Sequence, residues 1–192
     1  MGKIYLNGES YGGDSEVKYY DYAYNNAQSK FLLDLYSSSD QQIEFDFKAD
    51  SYINAMVITG DYDIGSVYYN NILYMNADRI AINNFAWTDR HKVVLNNLSN
   101  KVTIDGTEVG TYTNYDNTQH VLFGRTTSGG YSFFKGKVYE YKVVDKSTGN
   151  NLMWLKPAKV VVAGFVIAQG LYDVVNNVWI TGNGLTVGNE TS

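Results

Sequence analysis

Hydrophobic and polar residues alternate in short runs along most of this chain, with turn-forming residues about every ten positions. The clearest run is residues 42–48, where Ile43, Phe45 and Phe47 point one way and Gln42, Glu44, Asp46 and Lys48 the other. A second covers residues 133–144, in which Tyr139, Tyr141 and Val143 alternate with Val138, Glu140 and Lys142. Further strands are predicted over residues 31–35, 55–59, 66–70, 72–75, 79–83, 91–96 and 120–124. Beyond a turn at residues 145–151, strands are predicted at 152–155, around 160, and at 165–168, 171–175, 178–181 and 185–187. Pro157 separates the first two of these.

Local turn chemistry sharpens this pattern. Asp105-Gly106 is a two-residue hairpin loop of type I′, with positive φ at both positions. It pairs Ile104 with Thr107, Thr103 with Glu108 and Val102 with Val109, leaving Thr103 and Glu108 on the wet face. Gly136 marks a bend or a close backbone approach, and Asn176-Asn177 a tight turn between apolar strands. Trp154 and Trp179 stand within apolar strands and are expected in the core, whereas Trp87 lies between strands. The first residues read differently, because Gly8 and Gly12-Gly13 interrupt short tyrosine-rich pieces. The division expected is an N-terminal arm, residues 1–27, and a sandwich domain, residues 28–192, with a first edge hairpin as the alternative reading of the arm.

Composition supports an all-β domain: 18 Tyr, 8 Phe, 3 Trp and 18 Gly, with 18% charged residues and no helical period. A chain of 192 residues with 44% hydrophobic content can bury one substantial core. The net charge of −5, with no lysine or arginine cluster, argues against nucleic acid as a partner. The absence of cysteine removes disulfides, thiolate metal sites and cysteine nucleophiles. No run of apolar residues is long enough for a membrane span or signal peptide, so export by another route is expected.

Four stretches resemble the laminin-G-like, concanavalin-like jelly roll of bacteriophage virion proteins. They are residues 42–48, residues 91–95 continuing through 102–106, residues 134–143, and Gly170-Leu-Tyr-Asp followed by Asn176-Asn177-Val-Trp179. The opening, Lys3 to Gly8 with Tyr11-Gly-Gly13, is similar to the start of short phage virion proteins. The resemblance implies an all-β, two-sheet antiparallel jelly-roll sandwich. It further implies a non-catalytic glycan-binding or adhesion protein on the virion surface, such as a head fibre, decoration protein or tail-tip adhesin. Other virion proteins would be held through the N-terminal arm, and a homotrimer is one arrangement such proteins adopt. A purely structural capsid or tail subunit is the alternative.

Glycoside hydrolases of this shape are the remaining alternative. Their catalytic strand carries three carboxylates at every second position; here Glu44 and Asp46 fit two places and Lys48 occupies the third. Exposed aromatic residues in or beside turns are the candidate sugar contacts: Tyr62, Trp87, Tyr115 and Tyr131. Asp61 and Asp63 offer oxygen ligands to a calcium ion, but two acids around a turn are common by chance, and a solvated turn is the plainer reading. His91 and His120 fall at strand starts without metal-ligand spacing, so no zinc site and no other cofactor is expected.

Overall fold

Every regular element among the described residues is a β-strand, in keeping with the alternating pattern. The computed structural model describes residues 4–6, 9–11, 15–26, 30–50, 55–56, 58–59, 64–68, 72–75, 78–82, 86, 88–113, 119–123, 134–182 and 184–191. The chain begins with a hairpin, β1 (Ile4–Leu6) and β2 (Glu9–Tyr11). β3 (Ser15–Tyr19), β4 (Tyr22–Asn26), β5 (Phe31–Tyr36) and β6 (Gln41–Ala49) follow. Five short strands come next: β7 (Ala55–Met56), β8 (Ile58–Thr59), β9 (Ile64–Tyr68), β10 (Ile72–Met75) and β11 (Asp78–Ala81). After them run β12 (His91–Asn96), β13 (Lys101–Ile104), β14 (Thr107–Thr111) and β15 (Gln119–Leu122). Two long strands, β16 (Lys135–Asp145) and β17 (Asn151–Val162), lead to β18 (Phe165–Asp173), β19 (Val178–Ile180) and β20 (Leu185–Gly188).

The strands build an antiparallel two-layer sandwich. One layer is a large sheet ordered β14-β13-β12-β6-β16-β17-β18-β19, with β3, β4 and β20 joined to it. Across from it lies the sheet β5-β15-β8, and the sheet β11-β10-β9-β7 completes the described strands. The core between the layers is aromatic. Phe45, Phe47, Phe123, Phe134 and Tyr141 are all essentially buried. Phe123 stacks on Phe134 at 5.6 Å, and Phe45 meets Tyr141 edge-on at 6.0 Å.

Residues 42–48 alternate as the sequence predicts, with Ile43, Phe45 and Phe47 buried and Lys48 exposed. The Asp105-Gly106 hairpin also forms, with φ of 50° and 81°. A bulge then changes its register, so Val102 faces Gly110 and not Val109. A second bulge, at Tyr139, alters the alternation of β16. Val138 pairs with Phe47 and Glu140 with Asp46, which leaves Tyr139 as the extra residue. Val138, Tyr141 and Val143 face the core; Tyr139 instead packs against Arg90 and Glu190 on the outer face.

Between β16 and β17 the large sheet forks. Tyr141–Val144 pairs with β17, whereas Lys135–Val138 pairs with β4. On β17 the same edge passes from β16 to β3 between Leu155 and Ala158. Residues 15–26, inside the segment set apart as an arm, therefore fill the fork as β3 and β4, and β4 also holds β20. Pro157 sits inside β17, which runs unbroken where a break between two strands was expected. The Pro157 carbonyl accepts the Tyr20 N–H at 2.9 Å, so this residue's polar edge faces the fork. The neighbour changes there, and a missing N–H costs the ladder nothing.

The fork makes a truncation informative. Removing residues 1–14 leaves β3 and β4 in place. Removing residues 1–26 strips three ladders of the large sheet, β3 on β17, β4 on β16 and β4 on β20, and takes away the buried Ala23 and Asn25. The longer deletion is expected to lower unfolding free energy by more than about 4 kcal/mol relative to the shorter one. Urea titration of both chains measures this, and equal midpoints would show the wedge to be dispensable.

Candidate binding face and inter-sheet cleft

The outward face of the large sheet carries its polar alternation partners in lateral rows. Register places Thr103, Val94, Glu44, Lys142 and Trp154 side by side across five strands. An adjacent row holds Lys92, Asp46 and Glu140. Further along, Lys156 lies beside Tyr172, and Tyr172 beside Trp179.

Trp154 and Trp179 are thus on the outer face, not in the core where their apolar neighbours suggested. Met153 and Leu155 take the inward positions of β17, so Trp154 and Lys156 point out together. The Trp154 indole N–H donates to Glu140 Oε1 at 2.5 Å. Lys156 Nζ sits 3.8 Å from the indole centroid and Lys142 Nζ 5.0 Å from it. The Tyr172 and Trp179 rings lie 4.7 Å apart with their planes tilted by 32°, and Tyr19, 54% exposed, borders the same patch through Lys156.

The carboxylates on this face are neutralised where they stand. Asp46 accepts a bidentate pair from Arg90 at 2.9 and 2.7 Å. Glu44 contacts Lys92 at 2.7 Å and accepts from Gln42 at 2.8 Å. Burial pushes the Glu44 carboxyl up, but Lys92, Gln42 and Lys142 together outweigh it and hold it below its usual range. A carboxyl held low is ionised at neutral pH and is a poor proton donor. Lys48, at the third alternating position, is exposed and stands opposite Lys137. A second cluster sits at the β4 side, where Arg90 covers the Tyr139 ring at 3.8 Å and the Tyr139 hydroxyl donates to Glu190 at 2.6 Å.

On the inner side, β5 does not reach the end of the large sheet. A cleft of about 820 Å³ remains between β5 and β17–β19, lined by Phe31, Leu33, Leu35, Met153, Leu155 and Ile180 among others. Its buried carboxylate, Asp173, is committed to the turn that follows it. Asp173 accepts from the Trp154 N–H at 3.1 Å, the Val175 N–H at 3.0 Å and Asn176 Nδ2 at 2.7 Å. Asn176 also reaches the Leu152 carbonyl, and Asn177 takes φ of 59° while accepting from the Tyr172 hydroxyl. The Leu-Tyr-Asp and Asn-Asn pieces of the closing motif thereby form one hydrogen-bonded turn.

The sugar-contact candidates Tyr62, Trp87, Tyr115 and Tyr131 lie outside the described residues, as do the calcium candidates Asp61 and Asp63. No cluster of three or more metal-binding side chains occurs among the described residues. His91 bridges Asp105 at 2.6 Å and the Ala86 carbonyl at 3.0 Å, which ties the segment before β12 to the hairpin loop. His120 is buried, with Nδ1 2.5 Å from the Tyr141 hydroxyl and no partner for Nε2 among the described residues. Trp154, Tyr172 and Trp179 were legible in principle. In residues 153–156 the order Met-Trp-Leu-Lys has period two and puts Trp154 with Lys156 on the polar side.

No family model matches this chain, and no curated protein matches it. Among solved structures, the chain is similar to the native heptameric SAP-like pentraxin from Limulus polyphemus. The two are 13% identical with a TM-score of 0.44, over 69% of this chain and 76% of the pentraxin.

Proposed function

We propose that this protein is a non-catalytic glycan-binding module, displayed on a bacteriophage virion surface as the motif resemblance implies. The observation that carries the binding reading is the outward aromatic patch of Trp154, Tyr172 and Trp179, edged by Lys142, Lys156 and Glu140. Sugar rings stack on flat aromatic faces while their hydroxyls bond to charged and amide groups around them, and this patch supplies both. The non-catalytic part is supported by the pairing of Asp46 with Arg90 and of Glu44 with Lys92, and by Lys48 in the third position. Attachment to the particle falls to the segment before Ser15, since residues 15–26 are built into the sheet.

A bacterial cell-wall and mucin glycan array, probed with the purified chain, tests this. At least one glycan is expected to bind, with affinity falling tenfold or more in Trp154→Ala and in Tyr172→Ala. Both variants should keep the parent's thermal midpoint to within a few degrees, because both side chains lie outside the core. Absence of any bound glycan, unchanged affinity in both variants, or release of reducing ends from a bound polysaccharide would overturn the reading.

A further inference from the structure

Around Trp154 the outward face carries more positive charge than its acids balance. Lys92, Lys142 and Lys156 share this part of the sheet with two carboxylates, Glu44 and Glu140. Both carboxylates lean towards Lys92, Glu44 at 2.7 Å and Glu140 at 3.8 Å, and the other oxygen of Glu140 accepts the Trp154 indole N–H. Asp46, the next acid on this face, is closed by Arg90. Lys142 and Lys156 are left without an ion pair among the described residues. Their company is aromatic instead.

Lys156 Nζ and Lys142 Nζ stand 3.8 and 5.0 Å from the centroid of one indole, that of Trp154. A ring face holds an ammonium group through its quadrupole and leaves the full unit charge in place. Trp154 thus mounts two cations without cancelling either. Lys142 pairs laterally with Trp154 and Lys156 follows two residues on, a diagonal of about 7–8 Å between their main chains. One acidic group, or two on successive residues of a polymer, can meet both. Lys156 also stands beside Tyr172, and Tyr172 beside Trp179, so the cation pair adjoins the second aromatic pair.

We propose that the ligand of this patch is an acidic glycan, whose carboxylate, sulfate or phosphate groups pair with Lys142 and Lys156 while a neighbouring sugar ring rests on Tyr172 and Trp179. The inference rests on the glycan-binding reading of the same patch and adds the class of sugar to it. Charge selects that class. A hydrogen bond from an ammonium group to an anion is about twice as strong as one between neutral groups, and a neutral sugar would cover two half-buried cations without compensating them. The net charge of −5 sharpens the selection, because the molecule as a whole repels a polyanion and only a local cation pair can hold one. Binding is accordingly weakened by salt.

Biolayer interferometry of the full chain tests this on immobilised polygalacturonate, chondroitin sulfate and ribitol-phosphate teichoic acid, with methyl-esterified polygalacturonate and dextran as neutral surfaces. At least one anionic polymer is expected to bind and neither neutral one, with affinity falling as sodium chloride rises from about 20 to about 300 mM. Combining Lys142→Gln with Lys156→Gln should weaken binding about tenfold or more. Combining Lys101→Gln with Lys146→Gln makes the same change in net charge at exposed positions away from Trp154, and should weaken it by less than about threefold. Circular dichroism melts check that both double variants remain folded, the expected state for side chains outside the core. Binding to the neutral surfaces as strong as to the anionic ones, no binding to any of the three anionic polymers, or an equal loss in the two double variants overturns the proposal. A neutral glycan whose binding is lost in Trp154→Ala but kept in the Lys142 and Lys156 variant would overturn it and leave the glycan-binding reading standing, whereas an array with no bound glycan removes both.

Discussion

Replacing Gly136 by alanine is expected to lower unfolding free energy by about 3 kcal/mol or more, an effect above that of most surface substitutions. Gly136 lies in the part of β16 that is flanked by β6 on one side and β4 on the other. Its φ is 153°, and a Cβ there would stand 2.2 Å from the Lys48 carbonyl oxygen and 2.9 Å from Ala49 Cα. Both obstacles are main-chain atoms of a central strand, so relief requires moving the strand and not a side-chain tip. Gly149→Ala is the control. Its φ of 75° is also unfavourable, but nothing lies within 4 Å of the added Cβ, so only backbone strain of about 1 kcal/mol remains. Urea titration of both variants measures the contrast, and equal midpoints would show that β6 and β16 yield more readily than their contacts indicate.

Acidification is expected to weaken the fold well above the pH at which carboxylates protonate, and His120 is the cause. Burial lowers its pKa from 6.5 to about 4, because a charged imidazole in the core is unsolvated. The unfolded chain binds this proton more readily than the folded one. Stability from the neutral ring is therefore fully present above pH 6.5 and is lost as pH falls towards about 4, by about 3 kcal/mol in total. The carboxyls held low, including Glu44, Asp105 and Asp145, act in the same direction but below their ordinary values of 4.5 and 3.8. Most of the His120 contribution is lost between pH 6.5 and about 4.5, before the carboxyls contribute in full, and a substitution at His120 separates it from the rest. His120→Gln keeps a group able to meet the Tyr141 hydroxyl and removes the titration. Its stability should vary less across that window than the parent's, by roughly 2–3 kcal/mol, and parallel curves would exclude His120 as the source.

The parts of this fold legible in the sequence are those governed by neighbours in the chain. Alternation at residues 42–48, positive φ at Asp105-Gly106 and the turn at Asn176-Asn177 are all local. What escaped was set by partners distant in sequence. The bulge at Tyr139 exists because β16 must follow β6 while exchanging β17 for β4, and no pattern within β16 announces it. Residues 15–26 look like a loose tyrosine-rich piece until their partners in β16, β17 and β20 are known. Pro157 reads as a break for the same reason, since only the fork reveals that its missing N–H has no ladder to serve. The candidate binding face was missed by a different route. Trp154 and Trp179 were weighed by hydrophobicity, whereas the parity of their positions on β17 and β19 decides which way they point.

The wedge of β3 and β4 also fixes the order in which the molecule can become whole. Tyr22 to Asn25 are held between β16 and β20, so a segment made early on the ribosome waits for Leu185–Gly188 before its second edge is satisfied. Until then β4 can pair with β16 and β3 with β17, but the other edge of the tyrosine-rich β4 stays open. Closure is consequently a late, long-range event of the kind that slows β-rich domains. A chain halted before β20 would leave one edge of β4 bare.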